Sequence, residues 1–416
     1  MTRLPRSAQA LLASMSFARP TSTQIRSLST EEWEGLLAFC DKNQLTLLLG
    51  YLCNEWLPRS VKSRIRENYH GQEQRLARLE LAVLEIAAAL KGDSVPFVLL
   101  KGLGQSQEFS PDPVIRCQGD IDLWCLPADL FRGRAALCKL GYYSVAQPNS
   151  RHLAPMIREK QWNWTGNYHQ PDLPIPVDLH YKLWDGDTEC IPGPDEVDVW
   201  RRRSQMSVRG DIIPVLDPLD TLAFAALHLL MHILHGDLRL NRAWELAYFL
   251  HNHSLDDNFW GEWQIRFEQS ERVCQTIVFA LVHQWFACGL PSIVGNEVKT
   301  LPSDIHLWLN EFGMSPVEAL FRPNKDEIWL HLSLMGRAAD RRRLLWRRLI
   351  PVHAHLDNIG RSSGRKGGTP VFLCRRSYHH AATLCVFIVR GLKWWRLRRN
   401  RQSWDDDKPL QTATPL

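Results

Sequence analysis

Apolar residues recur along the chain with two periods, and the changes of period mark the elements. From Arg75 to Leu90, leucine, alanine and isoleucine return every three or four positions, which predicts an amphipathic helix ending at Gly92. Upstream, Ser27-Leu28-Ser29 leads into Thr30-Glu31-Glu32-Trp33-Glu34, a hydroxyl cap with acids in the first turn, and predicts helix to about Trp56. Val95-Pro96-Phe97-Val98-Leu99-Leu100 is wholly apolar and of strand length. It stops at Lys101-Gly102-Leu103-Gly104, a turn followed by a short polar helix or loop that Pro111 and Pro113 break. Ile121 to Leu126 resumes a strand pattern, Pro127 to Leu140 reads as a helix closed by Gly141, and Ile175 to His180 offers a further strand.

From Asp217 the period stays helical. Asp217 is placed to cap a helix through His235, a second follows from Asn241 to His251, and helical patterns continue to about Ile350. The fold class expected is α+β, a mixed sheet flanked by helices with a mainly α-helical C-terminal half. The boundaries expected are a helical region at 1–92, a core at 93–215, a helical domain at 216–358 and a basic linker with a terminal helix at 359–416, the helix running from His379 to Arg399. No internal repeat emerges, and no apolar run reads as long enough to span a bilayer.

Composition adds one asymmetry. The net charge is +5, yet Arg341 to Arg401 holds sixteen Lys/Arg and one acid, Asp357, so the remainder is net acidic. Such a tail, with tryptophans among its arginines, suits an anionic membrane surface or a nucleic-acid backbone, or simply a helix packed with its arginines in solvent. The ten cysteines form no CxxC pair, which favours packing thiols over a zinc site or disulfides. The first twenty residues lack a secretory apolar core, and a cytoplasmic protein with optional peripheral membrane contact is expected.

The chemistry concentrates at Gly119-Asp120-Ile121-Asp122-Leu123-Trp124. In a strand, residues two apart share a face, so Asp120 and Asp122 point one way while Ile121 and Leu123 enter the core. Paired carboxylates suit Mg²⁺ or Mn²⁺, although the pair alone is weak evidence, being more often a solvated strand end or turn. Asp178 is a candidate third carboxylate, and His180 shares its face. His228, His232 and His235 line one side of a helix, but without an intervening glutamate or nearby cysteine they read as a packed face.

Leu99-Leu100-Lys101-Gly102, Arg116, Asp120-Ile121-Asp122-Leu123 and Asp178-Leu179-His180 together resemble the nucleotidyltransferase superfamily, and in particular its bacterial group of uncharacterised nucleotidyltransferases. The resemblance covers roughly Thr30 to Leu250. It implies that Asp120 and Asp122 are the metal pair, that Asp178 is the third carboxylate, and that Lys101, Gly102, Arg116 and His180 lie toward the nucleotide. Lys101 and Arg116 would face the triphosphate, and Gly102 would let backbone approach it. On residue chemistry alone, Arg116 is as well suited to pair with Asp112 or the aspartates. In the helical half the group usually carries a histidine, here His232, and an acid after an Arg-Leu element, here Glu245 after Arg239-Leu240. One departure is Lys101-Gly102-Leu103-Gly104, where the wider superfamily has Gly-Gly or Gly-Ser.

The activity implied is transfer of an NMP from an NTP to an acceptor hydroxyl on a small molecule, sugar, peptide or protein. A catalytically silent nucleotide- or lipid-associated binding protein and a tRNA-directed transferase or toxin are the alternatives. Neither base preference nor oligomeric state is legible.

Overall fold

The computed structural model describes residues 4–18, 20, 23–322, 324–349 and 385–400. Among these the strands are Phe97–Leu99 (β1), Ile121–Cys125 (β2), Tyr143–Ser144 (β3), Met156–Ile157 (β4), Val177–His180 (β5), Ser204–Val208 (β6) and Asp211–Val215 (β7). They form one mixed sheet in the order β3-β4-β5-β2-β1-β7-β6. β2 runs antiparallel to β1 and parallel to β5. Helices flank it and make up the C-terminal half, the α+β architecture that the two periods imply.

The apolar period of the first long helix continues further than its leucine-rich end suggests. The helix spans Arg59–Gly92, and its buried side runs Val61, Ile65, Asn68, Gln72, Arg75, Leu79, Ala82, Val83, Ile86, Leu90. Three polar residues interrupt that stripe, which is why its first half does not read as amphipathic. Leu79, Val83, Ile86 and Leu90 pack with Leu99, Ile121, Leu123, Val177 and Leu179 and with Leu137 of the helix Leu130–Lys139. Full burial of one such side chain is worth about 1.5–3 kcal/mol. The opposite sheet face presents Val98, Leu100 and Trp124, which pack with Leu183, Val199, Leu216 and Phe224.

The helix expected from Thr30 to Trp56 is divided into Thr30–Lys42, Thr46–Cys53 and a 3-10 turn at Asn54–Trp56. Its start is a capping box, in which Ser29 Oγ accepts from the Glu32 amide and the Glu32 carboxylate accepts from the Ser29 amide. β6 and β7 have no counterpart in the sequence reading. They form a two-residue hairpin on Arg209 and Gly210, at φ 51° and 96°, a turn with both central residues in the left-handed region. Pro214 inside β7 masks the strand pattern.

Asp217 caps the following helix, accepting the Leu219 amide at 3.0 Å. That helix, Pro218–His235, is long and apolar enough to cross a membrane by length and composition, contrary to the sequence reading. It is 72% buried, and Asp220 on its first turn accepts two bonds from Arg202 at 2.9 Å, the environment of a core helix. Two compact units result. One holds residues 3–231 and 239–299, with the whole sheet; the other holds residues 232–238, 300–349 and 385–400 among those described. The expected linker at Gly360 to Gly368 and the first turn of the expected terminal helix lie outside the described residues, whereas 385–400 is helical. Nine cysteines are described, all as free thiols, and six of them are buried.

Candidate functional site

The parallel pairing of β2 with β5 sets Asp122 beside Asp178 and Trp124 beside His180. Strand alternation then places all four on one sheet face, while Ile121, Leu123, Val177 and Leu179 enter the core on the other. A face of this kind is assembled by register, since a slip of one residue would bury the carboxylates in the leucine core.

Asp122 is the hub. Its Oδ1 accepts from His180 Nε2 at 2.8 Å and lies 3.0 Å from Lys101 Nζ. Burial pushes its pKa up, but the Lys101 ammonium and the His180 hydrogen bond outweigh that and hold the carboxylate well below its usual range. Burial lowers the His180 pKa to about 4 despite the Asp122 bond, so the ring is neutral near pH 7. With Nε2 donating to Asp122, His180 orients that carboxylate. Asp178 is set apart: its Oδ1 is buried without a hydrogen-bond partner, and Oδ2 lies 4.0 Å from His152 Nε2. Burial, then repulsion from Asp122 and Asp120, raises its pKa to about 7.

A buried carboxyl oxygen without a partner costs about 1–3 kcal/mol. A proton or a cation removes that cost. Asp122, Asp178 and His180 each offer an atom within 4.8 Å of the others, the one such group among the described residues. The hard oxygens of this set fit a divalent cation of the Mg²⁺ type. Asp120 stands just ahead of β2, half-buried, outside the tight group. Burial, followed by repulsion from Asp122, raises its pKa.

The turn after β1 depends on glycine. Gly102 has φ +66°, and a Cβ there would lie 1.9 Å from Gln118 Nε2. Gln118 in turn donates to the Asp120 carbonyl at 2.8 Å, so the turn and the aspartate segment are pressed together. Arg116 lies beneath them, its side chain 1% exposed. It donates to the Gly102 carbonyl, to Gln105 Oε1 at 2.9 Å and to Glu245 Oε2 at 3.1 Å. Its ion-pair partner is therefore Glu245, and burial lowers its pKa to about 10.

Four residues that the sequence did not single out join this arrangement. Arg75 donates to the carbonyls of Gly119 at 2.9 Å, Leu173 at 2.9 Å and Pro174 at 3.1 Å, and so holds the lead-ins to both β2 and β5. Arg78 bonds the Pro171 carbonyl and pairs with Glu159 at 3.2 Å. Arg242 grips Glu245 at 3.1 and 2.9 Å, and Asp120 and Asp122 help to raise its pKa against the effect of burial. The spacing of Arg242 from Glu245, one helical turn, was the available signal. His152 stacks obliquely on His180, with centroids 4.9 Å apart, through a backbone bridge that sequence cannot show. His232 bonds Asp237 at 3.1 Å. Among the described residues the one group able to hold a metal ion does not include His228, His232 or His235.

No curated protein and no solved structure matches the chain. A family model does, over residues 29–286, a span that contains the sheet, the carboxylate face, the Lys101-Gly102 turn and the Arg242-Glu245 helix. With well over half its length matched and the conjunction of these motifs on one sheet face, the chain belongs to the uncharacterised nucleotidyltransferase family.

Proposed function

We propose that this protein transfers a nucleoside monophosphate from an NTP to an acceptor hydroxyl, with Mg²⁺ or Mn²⁺ held by Asp122 and Asp178 and with Asp120 beside them. The observation that carries the reading is the partnerless Asp178 oxygen facing Asp122 across paired parallel strands. A bound divalent cation would neutralise charge on the phosphate oxygens.

The chain's own groups divide the remaining work. Lys101 exchanges its Asp122 contact for a phosphate oxygen, as a point charge. Arg116, committed to Gly102, Gln105 and Glu245, shapes the turn from below, and the second phosphate contact passes to Arg242, which already faces the field of Asp120 and Asp122. His180 keeps Asp122 oriented. The acceptor oxygen attacks the α-phosphorus, the bond from that phosphorus to the pyrophosphate oxygen breaks, and the hydroxyl proton passes to Asp178. Positioning and charge complementarity supply most of the rate.

The test is incubation of α-labelled NTPs with Mg²⁺ or Mn²⁺ and candidate acceptors, sugars, peptides and whole lysate. Labelled acceptor and released pyrophosphate are expected from the wild type and not from Asp122→Asn, whose melting should stay cooperative. Full transfer by that variant sinks the assignment.

A further inference from the structure

The helix at residues 385–400 has two apolar faces, and among the described residues only one of them makes aromatic and ion-pair contacts. On the inner side Phe387 stacks on Trp329 with centroids 5.1 Å apart, and Trp394 meets Phe312 at 6.0 Å. The polar anchors are there too: Arg390 pairs with Asp326, and Arg398 with Asp304 at 2.8 Å. On the other side Ile388, Leu392 and Trp395, three and four residues apart, are 51%, 52% and 56% exposed, and Val389 beside them is 65% exposed. Arg396 and Arg399 continue that side at its C-terminal end with no acidic partner among the described residues, and the Arg399 guanidinium lies 5.3 Å from the Trp395 ring centre. Residues 385–400 hold five basic side chains and no acid. The outward stripe also borders a groove of about 490 Å³ shared with Arg341 and Leu345 of the helix Ala338–Leu349.

We propose that this outward stripe seats on an anionic bilayer surface. Leaving four large apolar side chains in water on one helix face is costly, and a bilayer interface relieves that cost. Aliphatic residues enter the acyl boundary, tryptophan suits the interface, and unpaired arginines meet anionic headgroups. A nucleic-acid backbone would satisfy Arg396 and Arg399 but would leave Ile388, Val389 and Leu392 in water. This inference is independent of the transfer chemistry proposed above.

Co-sedimentation of the full chain with vesicles tests it, using phosphatidylcholine alone and phosphatidylcholine with phosphatidylglycerol. Binding is expected to the anionic vesicles only, weakened by salt. Leu392→Glu with Trp395→Glu should reduce binding at least tenfold, and the charge reversal Arg396→Glu with Arg399→Glu should do so independently. Both sites are solvent-facing, so the melting transition should be preserved. Absence of vesicle binding overturns the proposal, as does binding that both double variants retain. Salt-steep RNA binding without vesicle binding would overturn it in favour of a nucleic-acid partner.

Discussion

Gly102 shows how tightly one residue can be specified. Its left-handed φ and the 1.9 Å approach of Gln118 to any Cβ there act together. Gly102→Ala is expected to lose about 1–2 kcal/mol from the conformation alone, and more from the clash. Gln118→Ala added to it should restore only the clash component, read from urea midpoints. Arg116 lends itself to a second measurement, because removing one partner of a buried ion pair costs about 3–5 kcal/mol. Arg116→Met should therefore destabilise strongly, whereas loss of a mere phosphate contact would leave stability unchanged. That Asp122, Asp178 and His180 share a face was legible because a period of two fixes which side chains point the same way, whereas Asp120 stands ahead of the strand and outside their group. Arg75 and His152 were not legible, since their partners are backbone carbonyls and a ring reached only through tertiary pairing.

At the scale of elements, the two central strands are delivered to each other by one side chain. Arg75 binds carbonyls ahead of β2 and ahead of β5, and hydrogen bonds from a charged donor are worth about 1.5–3 kcal/mol each. Arg75→Met should destabilise by about 3 kcal/mol or more and speed amide exchange in 118–121 and 173–177. Arg75→Lys should not rescue it, lacking the planar fork. A merely peripheral arginine would show neither effect. The sequence conveyed the strands with continuous apolar runs and the helices with leucine repeats. It concealed the β6-β7 hairpin, where Pro214 and the exposed Ile212 contradict a one-sided pattern, and it shortened the long helix because Asn68, Gln72 and Arg75 occupy its buried side.

For the whole molecule, displaced titrations oppose one another. Burial lowers His169 and His180 from 6.5 to about 4, so the unfolded chain takes up protons between those values that the folded chain refuses, and stability falls as pH drops through that window. Burial raises Asp178 and Asp326 from 3.8 to about 7 and about 6, which gives the reverse slope over an overlapping range. The net dependence should be shallow. His169→Asn isolates one contribution: its unfolding free energy relative to wild type, read from urea midpoints, should rise as pH falls from 6.5 toward about 4, by no more than about 1.4 kcal/mol per pH unit. Mg²⁺ should raise the wild-type melting temperature more above about pH 7 than below it, because Asp178 must shed a proton to receive it, and Asp122→Asn should abolish the shift. A pH-independent Mg²⁺ effect would place the cation elsewhere. A last consequence concerns the stretch between β4 and β5, where Trp162, Trp164 and Tyr168 are exposed. Arg78 clasps it at Glu159 and Pro171, and Arg75 fixes its return. With both ends moored, and with Asn167 bonded to Asn68 and His169 buried, the exposed part of the stretch can vary in sequence without shifting the β2–β5 register, so family members should diverge first between 160 and 166.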